Sequence, residues 1–262
     1  EWQSLGWLHD DGVPAEHGFV SWVPEGDATR AFWLDGREMP DDEPMTLRTA
    51  LVTTDGIVGR ELLDARVCEC CATDAAATDA GPLVVYRDRS DEEIRDIWFV
   101  RRGEDGWSEA RPVAVDGWEI AGCPVNGPAV AAEGDRVWVA WFTAANGEPR
   151  VRLARSLDAA ATFQDPVTVD DRRPLGRVEV VAGAENDAWV LWIRRVEGGA
   201  ELRMARVGPE GDLEPARTLM EISPSRRSGF PRAARIGDML ILAWTEVAEG
   251  QTQVRTGSVE LY

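Results

Sequence analysis

The chain has 262 residues, enough for one large domain or two small ones and for a substantial core. Its formal net charge of −19 argues against nucleic acid as a partner, because phosphate binding relies on basic surface. With 44% hydrophobic and 29% charged residues the balance is that of a globular protein, and no apolar run reaches the roughly 18–20 residues that span a bilayer.

Glu1 is not a start residue, so an upstream segment is expected to have been removed or left out. Trp2 to Leu8 then reads as a single strand ahead of the first repeat. From there an aromatic ends the second strand of each of five units: Trp33 in Ala-Phe-Trp-Leu, Tyr86 in Val-Val-Tyr-Arg, Trp141 in Val-Ala-Trp-Phe, Trp192 in Val-Leu-Trp-Ile and Trp244 in Leu-Ala-Trp-Thr. Subtracting successive numbers gives 53, 55, 51 and 52 residues. A period near 50 built from short strands is the mark of a β-propeller. Within a unit, Asp135 to Phe142 and Glu148 to Arg155 alternate polar and apolar residues at period two, and Asn146-Gly147, Gly198-Gly199 and Glu210-Gly211-Asp212 mark turns. No run carries the three- and four-residue apolar spacing of an amphipathic helix.

The reading is therefore all-β: a single propeller over residues 1–262, with four-stranded blades near 17–66, 67–121, 122–174 and 175–226 and a fifth made of 227–262 plus 1–12. The last unit stops after three strands, so the N-terminal strand is expected to complete it and remove two sheet edges. The alternative is a truncated part of a six- or seven-bladed ring.

In a propeller the loops entering first strands and those joining second to third strands open on one face. The unusual residues collect there. Entering loops carry Glu16-His17-Gly18, Arg66 to Cys71, Gly122 to Asn126, Gly176-Arg177 and Arg226 to Arg232. The second-to-third loops carry Asp35-Gly-Arg37, Arg87 to Asp96, Asn146 to Arg150 and Arg194-Arg195. A site at the channel mouth on this face is expected. All 28 basic residues are Arg, a pattern of GC-rich coding or salt adaptation, and arginine's planar fork also suits carboxylate.

Cys68, Cys70, Cys71 and Cys123 lack the paired C-x-x-C spacing of structural zinc. An even count fits two disulfides and export to an oxidising compartment. Counting back from the aligned aromatics puts Cys68 and Cys123 at equivalent places on neighbouring blades, although four cysteines allow three pairings. The alternative is a copper or zinc, or a redox, site in which these thiolates act with His17. No G-x-S-x-G supports a Ser/His/Asp triad, and no Gly-rich loop opening a helix supports a phosphate site.

Ser156-Leu-Asp158-Ala-Ala-Ala-Thr162-Phe163 resembles the Asp box, S-x-D-x-G-x-T-W/F, of sialidase/BNR-repeat propellers, with Ala160 in place of the glycine. Arg102 to Trp107 and Gly208 to Asp212 resemble eroded copies, and Trp2 the tail of another. The segments Arg66-Val-Cys-Glu-Cys-Cys, Tyr86 to Asp96, Gly122 to Pro128 and Gly229-Phe-Pro-Arg232 resemble a bacterial exported sialidase-like subgroup. The resemblance implies a small-molecule or glycan ligand, no obligatory cofactor, a monomer, and a periplasmic, cell-surface or extracellular location. In sialidases three arginines from different blades hold the sialate carboxylate, a Tyr activated by a Glu attacks, and an Asp protonates. Candidates here are Arg37, Arg66, Arg87, Arg95, Asn126, Arg177 and Arg232 for binding; the catalytic residues are unassigned, with Tyr86, Asp88 and Asp96 as candidates, and Tyr86 at the aligned core-aromatic position reads as packing. Only Tyr86 and Tyr262 are present, and the sialidase F-R-I-P segment is absent. The expected function is an anionic or carbohydrate ligand bound at an arginine-rich mouth, with exo-sialidase hydrolysis, the metal or redox site, and a purely structural or engineered ring as alternatives.

Overall fold

The computed structural model describes residues 4–248 and 250–261. They form five antiparallel sheets in chain order, a five-bladed β-propeller. The first blade holds β1 (His17–Glu25), β2 (Ala28–Asp35), β3 (Met45–Thr53) and β4 (Gly56–Val67). The second holds β5 (Asp74–Thr78), β6 (Gly81–Arg87) and β7 (Ile97–Gly103), with β8 (Gly106–Trp107) and β9 (Arg111–Pro112) both paired to β7. The third holds β10 (Ala129–Glu133), β11 (Arg136–Thr143), β12 (Arg150–Ser156) and β13 (Val167–Asp170). The fourth holds β14 (Pro174–Ala182), β15 (Ala188–Val196), β16 (Gly199–Val207) and β17 (Arg217–Ile222), and the fifth β18 (Arg232–Ile236), β19 (Met239–Ala248) and β20 (Gln251–Glu260). Among the described residues the only helical turns are three short 3-10 turns.

Period-two alternation builds the core between blades. On β11, Val139 and Trp141 face the second blade, while Trp138 and Ala140 face the fourth. On β15, Trp192 faces back to the third blade, and Leu191 and Ile193 face forward to the fifth. Four such clusters join consecutive blades. Among the described residues none joins the fifth blade to the first, and Trp22 on β1 and Ile236, Ile241 and Val254 on the fifth blade are exposed.

The expected closing strand over Trp2–Leu8 is corrected as far as it is described. Trp2 lies outside the described residues, and Ser4 to Leu8 form no strand. The carbonyls of Trp7 and Leu8 accept hydrogen bonds from Arg60 on β4, so this segment lies against the first blade, and the fifth sheet has three strands.

The aligned aromatics are tied to carboxylates, and the tie crosses the blade boundary. Tyr86 donates to Asp64 on the first blade at 2.5 Å. Trp141 Nε1 donates to Asp116 and Trp192 Nε1 to Asp170, each at 2.6 Å and each to the end of the preceding unit. The partners lie 22, 25 and 22 residues upstream. At the fifth blade that place is Ile222 (244 − 222 = 22), so Trp244 has no such carboxylate. Asp11 lies 22 before Trp33 (33 − 11), yet Trp33 donates to Asp35 on its own blade, at 2.7 Å.

The segment Ser156 to Phe163 forms the turn between β12 and β13, where it was expected. Asp158 accepts from the Thr162 amide and hydroxyl and from Ser156 Oγ, while Ala159 and Ala160 take positive φ. That backbone explains why a glycine would suit the position Ala160 holds.

Candidate anion site at the loop-bearing face

The loops entering blades two to five meet, but most of the expected ligand-binding arginines are already engaged. Arg87, at the end of β6, is 1% exposed. Its guanidinium donates to the carbonyls of Asn126, Phe142 and Arg95 and sits 4.8 Å above the Trp118 ring. It ties three loops together and faces no ligand. Asn126 is likewise structural: its Oδ1 accepts from the Arg177 amide and its Nδ2 donates to the Leu175 carbonyl. Arg95 pairs with Glu93 and touches Cys68 Sγ at 3.2 Å. Arg37 pairs with Asp35 and Asp11, Arg66 with Asp91, and Arg232 with Glu179. Arg37, Arg66, Arg87, Arg95, Asn126 and Arg232 thus each have partners within the protein, Arg66 only the exposed Asp91.

Arg177 differs. It is buried, its guanidinium donates to Pro224 and Ser225 carbonyls and to Ser228 Oγ, and no carboxylate lies within ion-pair distance among the described residues. Burial, and the neighbouring guanidinium groups of Arg226 and Arg195, push its pKa down. Arg195 and Arg226 are exposed and also lack a carboxylate partner among the described residues. Three uncompensated arginines thus gather at the junction of blades four and five, in a chain of net charge −19. The sequence placed these residues in loops of one face but not in one cluster; the doublets Arg194-Arg195 and Arg226-Arg227 were the available signal.

A groove of about 470 Å³ opens beside them. Its lining includes Val196, Gly198, Pro224 and half-buried Trp244, together with Glu197, Glu221 and Glu246. Val196 follows Arg195 in the chain, and the Pro224 carbonyl accepts from Arg177. The lining itself carries three carboxylates, Glu197, Glu221 and Glu246, and no arginine, so the cationic cluster borders the groove rather than lining it.

The catalytic candidates separate. Tyr86 is fully buried and its hydroxyl is held by Asp64, so it packs and reaches no substrate. Asp96 accepts from the amides of Asp116, Gly117 and Trp118, which fixes that loop and leaves no free carboxylate. Asp88 alone stays chemically open. Burial and the Asp64 carboxylate beside it push its pKa up to about 7, the range of a general acid near neutrality. Asp64, which makes that environment, was not legible as a candidate because its relation to Tyr86 crosses a blade boundary.

The cysteines form one disulfide, Cys70–Cys123, linking the loops that enter blades two and three. Cys68 and Cys71 are free and buried. This corrects the pairing suggested by equivalent positions and the expectation of two bridges. His17 does not join the thiols. It bonds to the Ala15 carbonyl and to Asp11 and stacks on His9 with centroids 3.9 Å apart. The copper or zinc arrangement of thiolates with His17 therefore does not fit: Cys70 is committed to Cys123, His17 lies in a separate group, and a guanidinium abuts Cys68.

No known family signature matches the chain, and no curated protein matches it. Solved structures do. A thermostable family-43 glycoside hydrolase shares 11% identity at a TM-score of 0.50, covering 96% of this chain and 92% of its own. The α-L-arabinofuranosidase of Lactobacillus brevis shares 10% identity at a TM-score of 0.50, covering 92% and 90%. At such identities the likeness is one of fold, and that fold is the propeller.

Proposed function

We propose that this propeller binds an acidic sugar, or a small carboxylate ligand of similar size, in the groove between blades four and five. The observation that carries the reading is the Arg177, Arg195 and Arg226 cluster, which has no carboxylate partner in a strongly acidic chain. A ligand carboxylate would receive the guanidinium forks. The groove's volume is that of a small-ligand site. Glu197, Glu221 and Glu246 in its lining suit sugar hydroxyls, which donate hydrogen bonds to carboxylates, while the bordering arginines would take the ligand's acid group. The sialidase-like reading of the sequence and the glycoside hydrolase neighbours favour a sugar. The Cys70–Cys123 disulfide supports an exported protein.

The test is calorimetric titration with N-acetylneuraminate, glucuronate and glucose. The expected result is binding of one or both acids over glucose, weakened at least tenfold by Arg195→Glu or Arg226→Glu. Equal affinity in wild type and both variants, or no binding of either acid, overturns the reading.

A second reading, glycoside hydrolysis, is favoured by Asp88, a carboxyl protonated near neutrality. Buried Tyr86 speaks against a sialidase-type tyrosine nucleophile. Release of aryl leaving groups from sialoside, arabinofuranoside or glucuronide substrates, lost at least a hundredfold in Asp88→Asn, would support hydrolysis. Unchanged turnover in that variant would remove Asp88 from it.

A further inference from the structure

Four sulfurs lie together where the second and third blades begin. Cys68 follows β4, and its amide donates to the Arg87 carbonyl, which holds the loop in place. Cys68 Sγ is 3.4 Å from Cys71 Sγ and 3.8 Å from Cys70 Sγ, and Cys70 is already bonded to Cys123. The Arg95 guanidinium contacts Cys68 Sγ at 3.2 Å, where it stabilises a thiolate. The Cys71 thiol and this guanidinium hold the Cys68 pKa down at about 6, whereas burial pushes that of Cys71 up. Cys68 and Cys71 are buried, but Cys123 is exposed. A nucleophilic sulfur is thus shielded from outside reagents and placed against an existing disulfide.

We infer that the four cysteines form a thiol–disulfide exchange centre, in which Cys68 attacks the Cys70–Cys123 bridge and Cys71 resolves the product. In the first step the Cys68 thiolate bonds to Cys70 Sγ, the Cys70–Cys123 bond breaks, and the electron pair leaves on Cys123, which takes up the proton released by Cys71. In the second, the Cys71 thiolate bonds to Cys68 Sγ and the pair leaves on Cys70, which is protonated from solvent as Cys68 gave up its proton before the first step. One disulfide exists before and after, so no oxidant or reductant is consumed. The bridge moves from between two blades to within a single loop, which unfastens the junction that Arg87 and Asn126 also bind. Exchange of this kind proceeds through a mixed disulfide and depends on the attacking thiolate and on which sulfur it meets.

The experiment uses the whole chain purified without reductant. It is incubated natively with excess maleimide, quenched in acid and mapped by peptide mass. The expected result is a label on Cys123 accumulating at least tenfold faster in wild type than in Cys68→Ser, with the Cys68–Cys71 peptide two hydrogens lighter. Equal rates in the two proteins, no label on Cys123 in wild type, or two disulfides per chain would overturn it. Should Cys68→Ser not fold, Cys71→Ser decides: trapped Cys68–Cys70 linkage with labelled Cys123 supports the exchange, and an intact Cys70–Cys123 bridge alone overturns it.

Discussion

Asp170 holds the indole of Trp192 from the neighbouring blade, and the same kind of carboxylate holds Tyr86 and Trp141. Each tie satisfies a donor that burial would leave without water. Trp192→Ala is expected to cost about 3–5 kcal/mol in denaturant unfolding, as for other large core aromatics. Trp192→Phe should still cost about 1–3 kcal/mol, because it removes the donor to Asp170 Oδ2, whose other oxygen keeps the Arg172 amide and the Arg194 ion pair. Losses below about 1 kcal/mol for the alanine variant would show that the indole does not bear on blade contact. Asp88 behaves oppositely. Its folded pKa of about 7 stands above the ordinary 3.8, so between these values the folded chain keeps a proton that the unfolded chain has lost. Stability contributed at this site therefore falls as pH rises from about 4 to about 7 and stays low above that. Asp88→Asn should be more stable than wild type at pH 8, on the order of 1 kcal/mol after solvent screening, and nearly equal to it at pH 4. A gain of the same size at both pH values would contradict this origin.

The blade is the unit that the strand pattern made legible. Val139 with Trp141 and Trp138 with Ala140 face opposite neighbours because successive strand residues point to opposite sides, and that follows from alternation alone. The junctions between blades were not legible. A loop has no period, so counting back from the aligned aromatics put Cys68 level with Cys123, whereas the turn over residues 68–73 presents Cys70 instead. The same junction brings Gly127 against the backbone of Ala72, where an added Cβ would lie 2.1 Å from the carbonyl oxygen. Gly127→Ala is expected to cost about 2–3 kcal/mol, since the atom it meets is main chain and cannot rotate away. Gly103→Ala, where nothing lies within 4 Å, should fall within about 0.5 kcal/mol of wild type. Equal effects of the two in thermal unfolding would mean that the second and third blades do not meet at Gly127.

Across the whole molecule, 47 acidic residues face 28 arginines. Many of those arginines are spent on nearby carboxylates, and exposed pairs of this kind contribute little individually. Net self-repulsion is the larger effect, so the melting temperature should rise between 20 and 300 mM NaCl as the screening length shortens from about 20 Å to about 6 Å. A fall over that range would show that paired charges outweigh the excess. The sequence by itself determined the propeller, its five units and the face that bears the loops, because strand alternation and a repeat near 50 residues are local and survive any uncertainty in tertiary contact. The tertiary structure decided which arginines remain free, which cysteines pair, and where the N-terminal segment lies. Charge neutralisation and sulfur contact depend on distances between residues tens of positions apart. Arg87 and Arg177 look alike along the chain and both bond to loop carbonyls; they differ because Arg177 also adjoins the unpaired guanidinium groups of Arg195 and Arg226.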